Sequence, residues 1–478
     1  MKNIFKKLSL AFAVILFASC DKDLDQLPYD GFPIEFAYST SADFENAIRG
    51  AYQTLYSASV FGSSDAGSML SAPDVMSDNV TPSQYGRGTK QGLHIYNYSP
   101  STSPLSGLYQ TLYNTIYRAN LILFYADSYE GANKATIEAE AKALRGLAHF
   151  YLVSYWGKIP TQSGDANDHL GVAYVTVVDP NQLPARENVG DVYSKIIDDL
   201  TDARSGVNPA NPVGRFNADA INLILSRVYL YMGQWQNAAD AANNVSESVA
   251  SRSNVVGIWQ DESQDGLVFY IPNILTPPAS PGVTWSQGGL SNIIPEYVVS
   301  YDFYNSFEAD DIRLEAYTIP AVTIDGGINI PVNAIKKLLG RGNATNGQVD
   351  WKIFRAEEAY LNKAEALFNL GQEGPARAAL DAVRNERYTS YAGGETGTAL
   401  RDAIRLERRF EFAFEYQRYF DLKRWGESLE RTNHGDIADG SGTPSDLLNL
   451  PASSTLWQLP ISQSALDQNT NMVQNPGY

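Results

Sequence analysis

The residues best suited to acid–base chemistry lie together near the end of the chain, in ERRFEFAFEYQRYFDLKRW. Glycoside hydrolysis needs two carboxyl groups, one of them with a raised pKa. Acids four residues apart share one face of a helix, however, and nearby arginines lower the pKa of a carboxyl group because they stabilise its charged form. We therefore predict a structural charge network that ties helices together. Its members are Glu407, Glu411, Glu415 and Asp421 with Arg408, Arg409, Arg418 and Arg424.

No other catalytic signature is present in the sequence. It has no H-E-x-x-H, no G-x-S-x-G, no P-loop and no dinucleotide fingerprint. The four histidines are scattered, and His149 lies on an apolar helical pattern, which predicts a core residue rather than a ligand. Asp310 and Asp311 are adjacent and so point in different directions on a helix. They offer oxygen ligands for Ca²⁺, but the twelve-residue calcium loop is absent, so we predict solvated acids and no cofactor.

The single cysteine of the chain, Cys20, follows a short apolar run. Three lysines precede that run, and two small residues, Ala18 and Ser19, stand directly before Cys20, which is the pattern of an export signal. The run of 11 residues is about half the ~20 that a membrane-spanning helix needs. A small residue directly before Cys resembles a bacterial lipoprotein signal, although the usual Leu three positions earlier is Phe17 here. We predict a signal peptide over 1–19, a lipid on Cys20 and a tether over 20–33.

The charge of the mature chain limits its partners. Residues 1–19 contain three lysines and no acid, so their removal changes the formal charge from −18 to −21. Nucleic-acid binding needs clustered Lys and Arg, and we exclude it. The same charge repels anionic lipid, so the lipid on the N-terminus must hold the protein at a membrane. Aromatic residues make up 12% of the chain, which suffices for a large core, and we expect one domain over 34–478.

Hydrophobic periodicity predicts that this domain is mainly helical. Long stretches rich in Gly, Pro, Ser and Asn interrupt the helices, chiefly at about 59–106 and 250–350. Insertions of that length usually carry function, so we expect the working surface there. The helices are predicted at 43–58, 107–126, 139–157, 189–204, 217–232, 235–249, 353–370, 374–388 and 397–416.

Two helix pairs share an internal layout. Gly233 and Gly371 each stand at a predicted turn, and an alanine follows five residues later, which is the tetratricopeptide pattern. The glycines are 138 residues apart rather than 34, so these are not tandem repeats. In TIPAVTIDGGINIPV, the turn residues 325–327 predict a β-hairpin. The predicted fold class is mainly α: a tetratricopeptide-type helical scaffold with long loop insertions and a few small β-hairpins.

Five sequence blocks, spread nearly from end to end, stand out in the chain. They are LDQLPYD with DFENAIRGAY, AEAKALRGLAHFYLVSYWGKIP, FRAEEAYLNKAEALFNLG, IRLERRFEFAFEYQRYFDLKRWG and LWQLPISQSALDQNTNMVQNPGY. In this order they resemble the SusD/RagB-like lipoproteins of the Bacteroidetes. The resemblance implies an outer-membrane surface lipoprotein with a SusD-like α-α superhelix. It also implies a SusC-like TonB-dependent transporter as partner, to which captured oligosaccharides are passed. Some relatives resemble peptide binders.

A sugar site needs flat aromatic rings for the C–H faces of pyranoses and polar side chains for their hydroxyls. The useful aromatics are those in loops, where no periodicity demands their burial. Trp285 is the first candidate; Trp259 is the second, with the end of a buried strand as its alternative. Tyr297 and Tyr301 rank lower because their stretch looks helical and favours core packing. The further candidates are Tyr85, Tyr96, Tyr98, Asp78, Asn79 and Arg87.

We therefore expect a non-catalytic surface protein that captures oligosaccharides. The first alternative is a peptide binder on the same scaffold, and the second is a hydrolase that uses acids in the insertions. Exposed loop tryptophans favour sugar. A loop pocket with paired charges and few exposed aromatics favours peptide.

Overall fold

A computed structural model describes residues 34–288, 293–323 and 331–478. The predicted signal peptide, Cys20 and the predicted tether lie outside these residues, as does the turn at 325–327. In the part of the chain that the structure describes, no helix is both long and apolar enough to cross a bilayer.

The prediction of a mainly α fold is confirmed, and the longer helices lie close to their predicted positions. Across the described residues, the helices of eight or more residues are α1 (Ser41–Tyr52), α2 (Ser106–Ala126), α3 (Lys134–Trp156), α4 (Val189–Gly206), α5 (Ala218–Tyr231), α6 (Trp235–Asn243), α7 (Ala356–Asn369), α8 (Glu373–Arg384), α9 (Gly397–Glu411) and α10 (Arg418–Trp425). Each consecutive pair from α2 to α6 packs together, and α3 is buried along almost all of its length.

Several predicted helix boundaries are wrong by up to six residues, and in three places tertiary contacts override the local pattern. Residues 351–355 form a strand rather than the start of α7, since they pair with residues 267–271. α6 ends at Asn243, six residues early, because the chain turns to let the Ser246 backbone N–H donate to Asp219 (3.1 Å). PEYVVSYDFYNSF becomes helical only at Tyr301.

The two tetratricopeptide-like hairpins, α5–α6 and α7–α8, lie side by side although an insertion separates them in sequence. Gly233 and Gly371 end their helices with left-handed φ angles of 68° and 72°, as the predicted turns require. Ser226 of α5 donates to the carbonyl of Ala238 on α6 (3.0 Å) and accepts from Asn362 of α7 (3.3 Å). This buried chain of hydrogen bonds connects the two hairpins.

The insertions meet in a small antiparallel sheet. Its strands lie in the order β1 (Val80–Pro82), β5 (Tyr297–Val299), β7 (Pro331–Ile335) and β6 (Thr318–Thr323). β1 comes from the first insertion and the other three strands from the second, and Val80 lies opposite Val299. The pairing of β6 with β7 confirms the predicted hairpin. In the described residues the strands are β1 (Val80–Pro82), β2 (Leu267–Ile271), β3 (Ser286–Gly288), β4 (Ile293–Pro295), β5 (Tyr297–Val299), β6 (Thr318–Thr323), β7 (Pro331–Ile335), β8 (Trp351–Arg355), β9 (Leu429–Glu430) and β10 (Asn449–Leu450).

The predicted charge network is confirmed and lies in the core. The Glu411 carboxylate accepts from Arg313 (3.1 Å), Arg355 (2.9 Å) and Arg387 (2.9 Å). Burial alone would raise the pKa of Glu411, but the three guanidinium groups outweigh it and hold that pKa well below its ordinary value. The pKa of Asp421 is lowered in the same way by Arg408 and Arg424 against its burial. These acids are therefore charged structural ties.

Candidate functional site

The loop tryptophans chosen from the sequence are buried. Trp285 is only 1% exposed; its ring meets Phe414 edge-on at 5.9 Å, and its indole N–H has no hydrogen-bond partner among the described residues. Its segment packs tightly, because a Cβ on Gly282 would lie 1.8 Å from the carbonyl oxygen of Leu338. Trp259 ends a short buried helix, not a strand, with the Lys337 ammonium 4.3 Å from its ring centre. The expectation that these two rings are exposed is wrong.

Tyr96 and Tyr98 are also buried, and their expected exposure is wrong. Their hydroxyls donate to the backbone carbonyls of Met76 (2.5 Å) and Leu456 (2.5 Å). Trp457 of the C-terminal segment packs edge-on against Tyr96, with ring centres 6.1 Å apart. This cover comes from a part of the chain more than 350 residues further on, so no local pattern could predict it.

Asp78 and Asn79 are tied to arginines of the charged block. Asp78 forms two bonds with Arg418 (2.7 and 2.9 Å) and an ion pair with Arg409 (3.1 Å). Burial raises the pKa of Asp78, but the two guanidinium groups have the larger combined effect and hold that pKa well below its ordinary value. Asn79 donates to Asp74 (2.9 Å) and accepts from Arg409 (2.9 Å). Both residues therefore position the first insertion against α9 and α10.

Arg87 and Tyr85 remain at the surface. Arg87 is 43% exposed at its side chain and links exposed Asp65 (2.7 Å) to buried Glu296 (2.7 Å). Tyr85 is half-buried against Val298 and Val332 of the sheet. The Arg87 backbone N–H also donates to Glu296 (3.1 Å), so this loop is fixed at the Pro82 end of β1.

At the other end of the β1–β5 pair lies a cavity of about 140 Å³, which we call the Tyr301 pocket. It is enclosed by segments 78–81, 300–302 and 430–434, together with Arg409 and Ser445. Its aromatic wall consists of Tyr301 and His434, whose ring centres are 4.5 Å apart. It is defined by Asp78, Tyr301, Asp302, Arg409, Thr432 and His434. Of the predicted candidates, Asp78 is among these six, as is the lower-ranked Tyr301.

Hydrogen bonds fix the polar groups of the Tyr301 pocket. The Asp302 carboxylate accepts from His434 Nδ1 (2.9 Å) and from the Thr432 hydroxyl. Burial raises the pKa of Asp302, but these two hydrogen bonds outweigh it and lower the pKa overall. The pocket is thus lined by two rings, a fixed carboxylate, a hydroxyl and the guanidinium of Arg409. That combination can stack on a flat ligand and hydrogen-bond its hydroxyls.

Sequence reasoning missed most of the Tyr301 pocket. Tyr301 was ranked low because its stretch reads as helical, yet β5 precedes it and brings it beside Asp78. His434 lies in an irregular segment with no periodic signal. No group of three or more His, Cys, Asp or Glu side chains among the described residues is arranged to hold a metal ion.

Together, the fold and the pocket define a helical scaffold on which the insertions and a later irregular segment form a small aromatic and polar site. Residues 333–478 match the model of the SusD family, and residues 24–230 match a model described as "Starch-binding associating with outer membrane". The chain belongs to the SusD/RagB-like family.

Relatives resemble the chain along most of its length. "SusD-like protein P25" of Formosa agariphila is 24% identical, over 90% of this chain and 91% of its own. "Starch-binding protein SusD" of Bacteroides thetaiotaomicron is 22% identical, over 80% of each chain. A solved structure named as a putative sugar binding protein from Bacteroides vulgatus is 25% identical, has a TM-score of 0.80, and covers 92% of this chain and 99% of its own. "Surface glycan-binding protein A" from Bacteroides uniformis shares the fold, at 20% identity, a TM-score of 0.73, and coverage of 91% and 99%.

Proposed function

We propose that the protein is a non-catalytic surface protein that binds oligosaccharides at the outer membrane. The Tyr301 pocket carries this proposal, because two rings and a fixed set of polar groups meet there, between the insertions, α9 and the segment 430–434. Membership of the SusD/RagB-like family supports it, as do relatives named for starch and glycan binding. The charge network of the core supports a non-catalytic role, because its arginines keep Glu411 and Asp421 ionised and unable to act as general acids.

The binding mechanism follows from the pocket geometry. A pyranose face stacks on Tyr301 or His434, and its hydroxyls bond to Asp302, Thr432 and Arg409. The polar groups are already held by hydrogen bonds before the ligand arrives, which reduces the entropy cost of binding. A site of this small volume contacts few sugar units, so the affinity is modest and the ligand can be released.

The second part of the proposal concerns where the protein is held and which partner receives the released oligosaccharide. A lipid on Cys20 holds the protein at the outer membrane, and a SusC-like TonB-dependent transporter receives the oligosaccharide. The family model described as associating with the outer membrane supports this location.

Peptide binding is the second candidate function, and one observation favours it. Trp285 and Trp259 are buried, and the Tyr301 pocket contains the Asp302–His434 and Asp78–Arg409 pairs. Paired charges with few exposed aromatics suit a peptide, whose termini and side chains carry charges of both signs.

Calorimetric titration distinguishes these functions. The protein is titrated against a panel of oligosaccharides and of peptides, and the recovered ligand is checked for cleavage. We expect one class of uncleaved oligosaccharide to bind. Tyr301→Ala should weaken that binding about tenfold, which corresponds to ~1.4 kcal/mol. The control is Tyr304→Ala, a half-buried tyrosine on the same short helix that does not line the pocket. Binding of peptides alone would transfer the proposal to the second candidate, and cleavage would contradict the non-catalytic role.

A further inference from the structure

A larger cavity, of about 410 Å³, lies on the helical scaffold and shares no lining residue with the Tyr301 pocket. It runs between α2, the irregular segment 173–184 and the C-terminal segment around the helix Gln463–Gln468. We call it the α2 groove and define it by Tyr109, Gln110, Tyr113, Gln468, Asn469 and Met472.

Side chains on both sides of the α2 groove hold segment 173–184 in place. From α2, the Tyr113 hydroxyl donates to the carbonyl of Ala173 (3.1 Å) and the Asn120 amide donates to that of Val175 (2.9 Å). From the C-terminal side, the Asn469 amide donates to the carbonyl of Pro184 (2.8 Å). The groove is therefore formed before any ligand arrives.

One wall of the α2 groove continues as a ladder of tyrosines. Tyr109, Tyr113 and Tyr117 are four residues apart on α2, so they lie on one face at intervals of about 6 Å along the helix axis. The rings of Tyr109 and Tyr113 have centres 4.8 Å apart, and Trp156 packs edge-on against Tyr109 at 5.0 Å. Tyr117 is 43% exposed and extends the ladder beyond the cavity. The ladder therefore places two half-buried rings beside the cavity and one exposed ring beyond it.

The polar groups of the α2 groove are neutral. Each described residue that lines it is uncharged, although the formal charge of the chain is −18. The hydrogen-bonding groups are amides and hydroxyls, chiefly Gln110, Gln468 and Ser464. A charged ligand would lose hydration there without meeting an opposite charge, which is costly. A neutral ligand with flat apolar faces and many hydroxyls matches both the ladder and the amides.

We propose that the α2 groove is a second saccharide site, which binds a neutral oligosaccharide along the tyrosine ladder. The ligand class rests on the proposed function, whereas the location is independent of the Tyr301 pocket. Gln110 and Gln468 bond the hydroxyls of a sugar chain whose rings lie over Tyr113 and Tyr117. A protein with two such sites holds two parts of one chain, or two chains, at once.

The test measures binding of four neutral hexasaccharides (maltohexaose, cellohexaose, mannohexaose and xylohexaose) by calorimetry and saturation-transfer NMR. It compares the wild type with Tyr301→Ala and with the double variant Gln110→Ala/Gln468→Ala, alone and combined. Both glutamines are exposed, so their loss leaves the fold intact. Gln236→Ala is the matched control, because Gln236 is an exposed glutamine on α6, outside the groove.

We expect the Tyr301→Ala protein still to bind one hexasaccharide molecule per protein molecule. When Gln110→Ala and Gln468→Ala are added to Tyr301→Ala, this remaining binding should weaken at least tenfold. If Tyr301→Ala abolishes all binding, or the glutamine changes leave the remaining binding unaltered, the second site is refuted and the proposed function stands. If the glutamine changes alone abolish binding, the groove stands and the Tyr301 pocket fails. If none of the four hexasaccharides binds the wild type, both are refuted as sites for neutral sugars.

Discussion

Replacing Glu411 by glutamine should be among the most destabilising single substitutions in the scaffold. Within the described chain, Glu411 belongs to a connected buried network with five cationic and five acidic side chains. They are Arg313, Arg355, Arg384, Arg387 and Lys337 with Asp311, Glu357, Glu407, Glu411 and Glu415. Glutamine keeps the shape of the side chain but leaves a net positive charge in the core.

The magnitude follows from the contacts that Glu411 makes. It accepts hydrogen bonds from three buried guanidinium groups, and removal of one partner from a buried ion pair typically costs about 3–5 kcal/mol. A whole domain is usually stable by only about 5–15 kcal/mol, so a loss of this size is easily measured. We expect the free energy of unfolding of Glu411→Gln to fall by about 3–5 kcal/mol.

Urea unfolding, followed by circular dichroism, measures this loss. The control is Asp202→Asn, which breaks the surface ion pair with Lys142 (2.8 Å); the Asp202 side chain is 62% exposed. Such surface pairs contribute about 0–1 kcal/mol to the free energy of unfolding. The pKa of Glu411 is depressed in the folded state, so its contribution is complete above the ordinary value of 4.5 and is lost as pH falls below it. Glu411→Gln should therefore also reduce the acid sensitivity of unfolding. A loss below about 1 kcal/mol, equal to that of the control, would refute the reasoning.

Three further predictions concern other parts of the chain. Trp285→Ala should lower the free energy of unfolding by about 3–5 kcal/mol, because the ring is buried; an unchanged melting temperature would contradict this. Burial lowers the pKa of His149 to about 3, and its Nε2 accepts from the Val175 backbone N–H (3.1 Å). As the pH falls, His149 therefore gains its proton in the unfolded state before it does so in the folded state. The free energy of unfolding should decline below pH 6.5 by up to about 1.4 kcal/mol per pH unit. In urea titrations at several pH values, His149→Gln should flatten that slope. Cys20→Ala should release the protein from membranes in fractionation of cells that lack the transporter, and persistent retention would refute the lipid anchor.

Much of the scaffold is predictable from sequence because its signals are local. The apolar face of α2, the glycines that end α5 and α7, and the acids at four-residue spacing in α9 each act within a few turns of helix. The charge network illustrates this: its role could be inferred from spacing and from the known effect of arginine on a carboxyl pKa. The cations that bond Glu411 and Glu415 needed the structure: Arg313 and Lys337 come from the insertion, and Arg355 and Arg387 come from the scaffold.

The binding surface is less predictable, because burial in the insertions depends on distant segments. Trp457 covers Tyr96, and Phe414 meets Trp285, across more than a hundred residues of sequence in each case. Loop composition suggested free rings, whereas the structure uses them as core. Conversely, Tyr301 was set aside as a helical core residue. The pairing of β5 with β1, which no local pattern encodes, makes it the wall of a pocket.

The sheet that joins the two insertions has a consequence for exchanging ligand preference between relatives by chimaera construction. Because β1 from one insertion pairs with β5 from the other, transplanting either insertion alone would leave a strand edge facing a foreign partner. The two must be moved as one cassette. Arg313 and Lys337 belong to that cassette yet bond to Glu411 and Glu415 of the recipient scaffold, so a cassette that lacks these two cations would leave the recipient core with unbalanced negative charge.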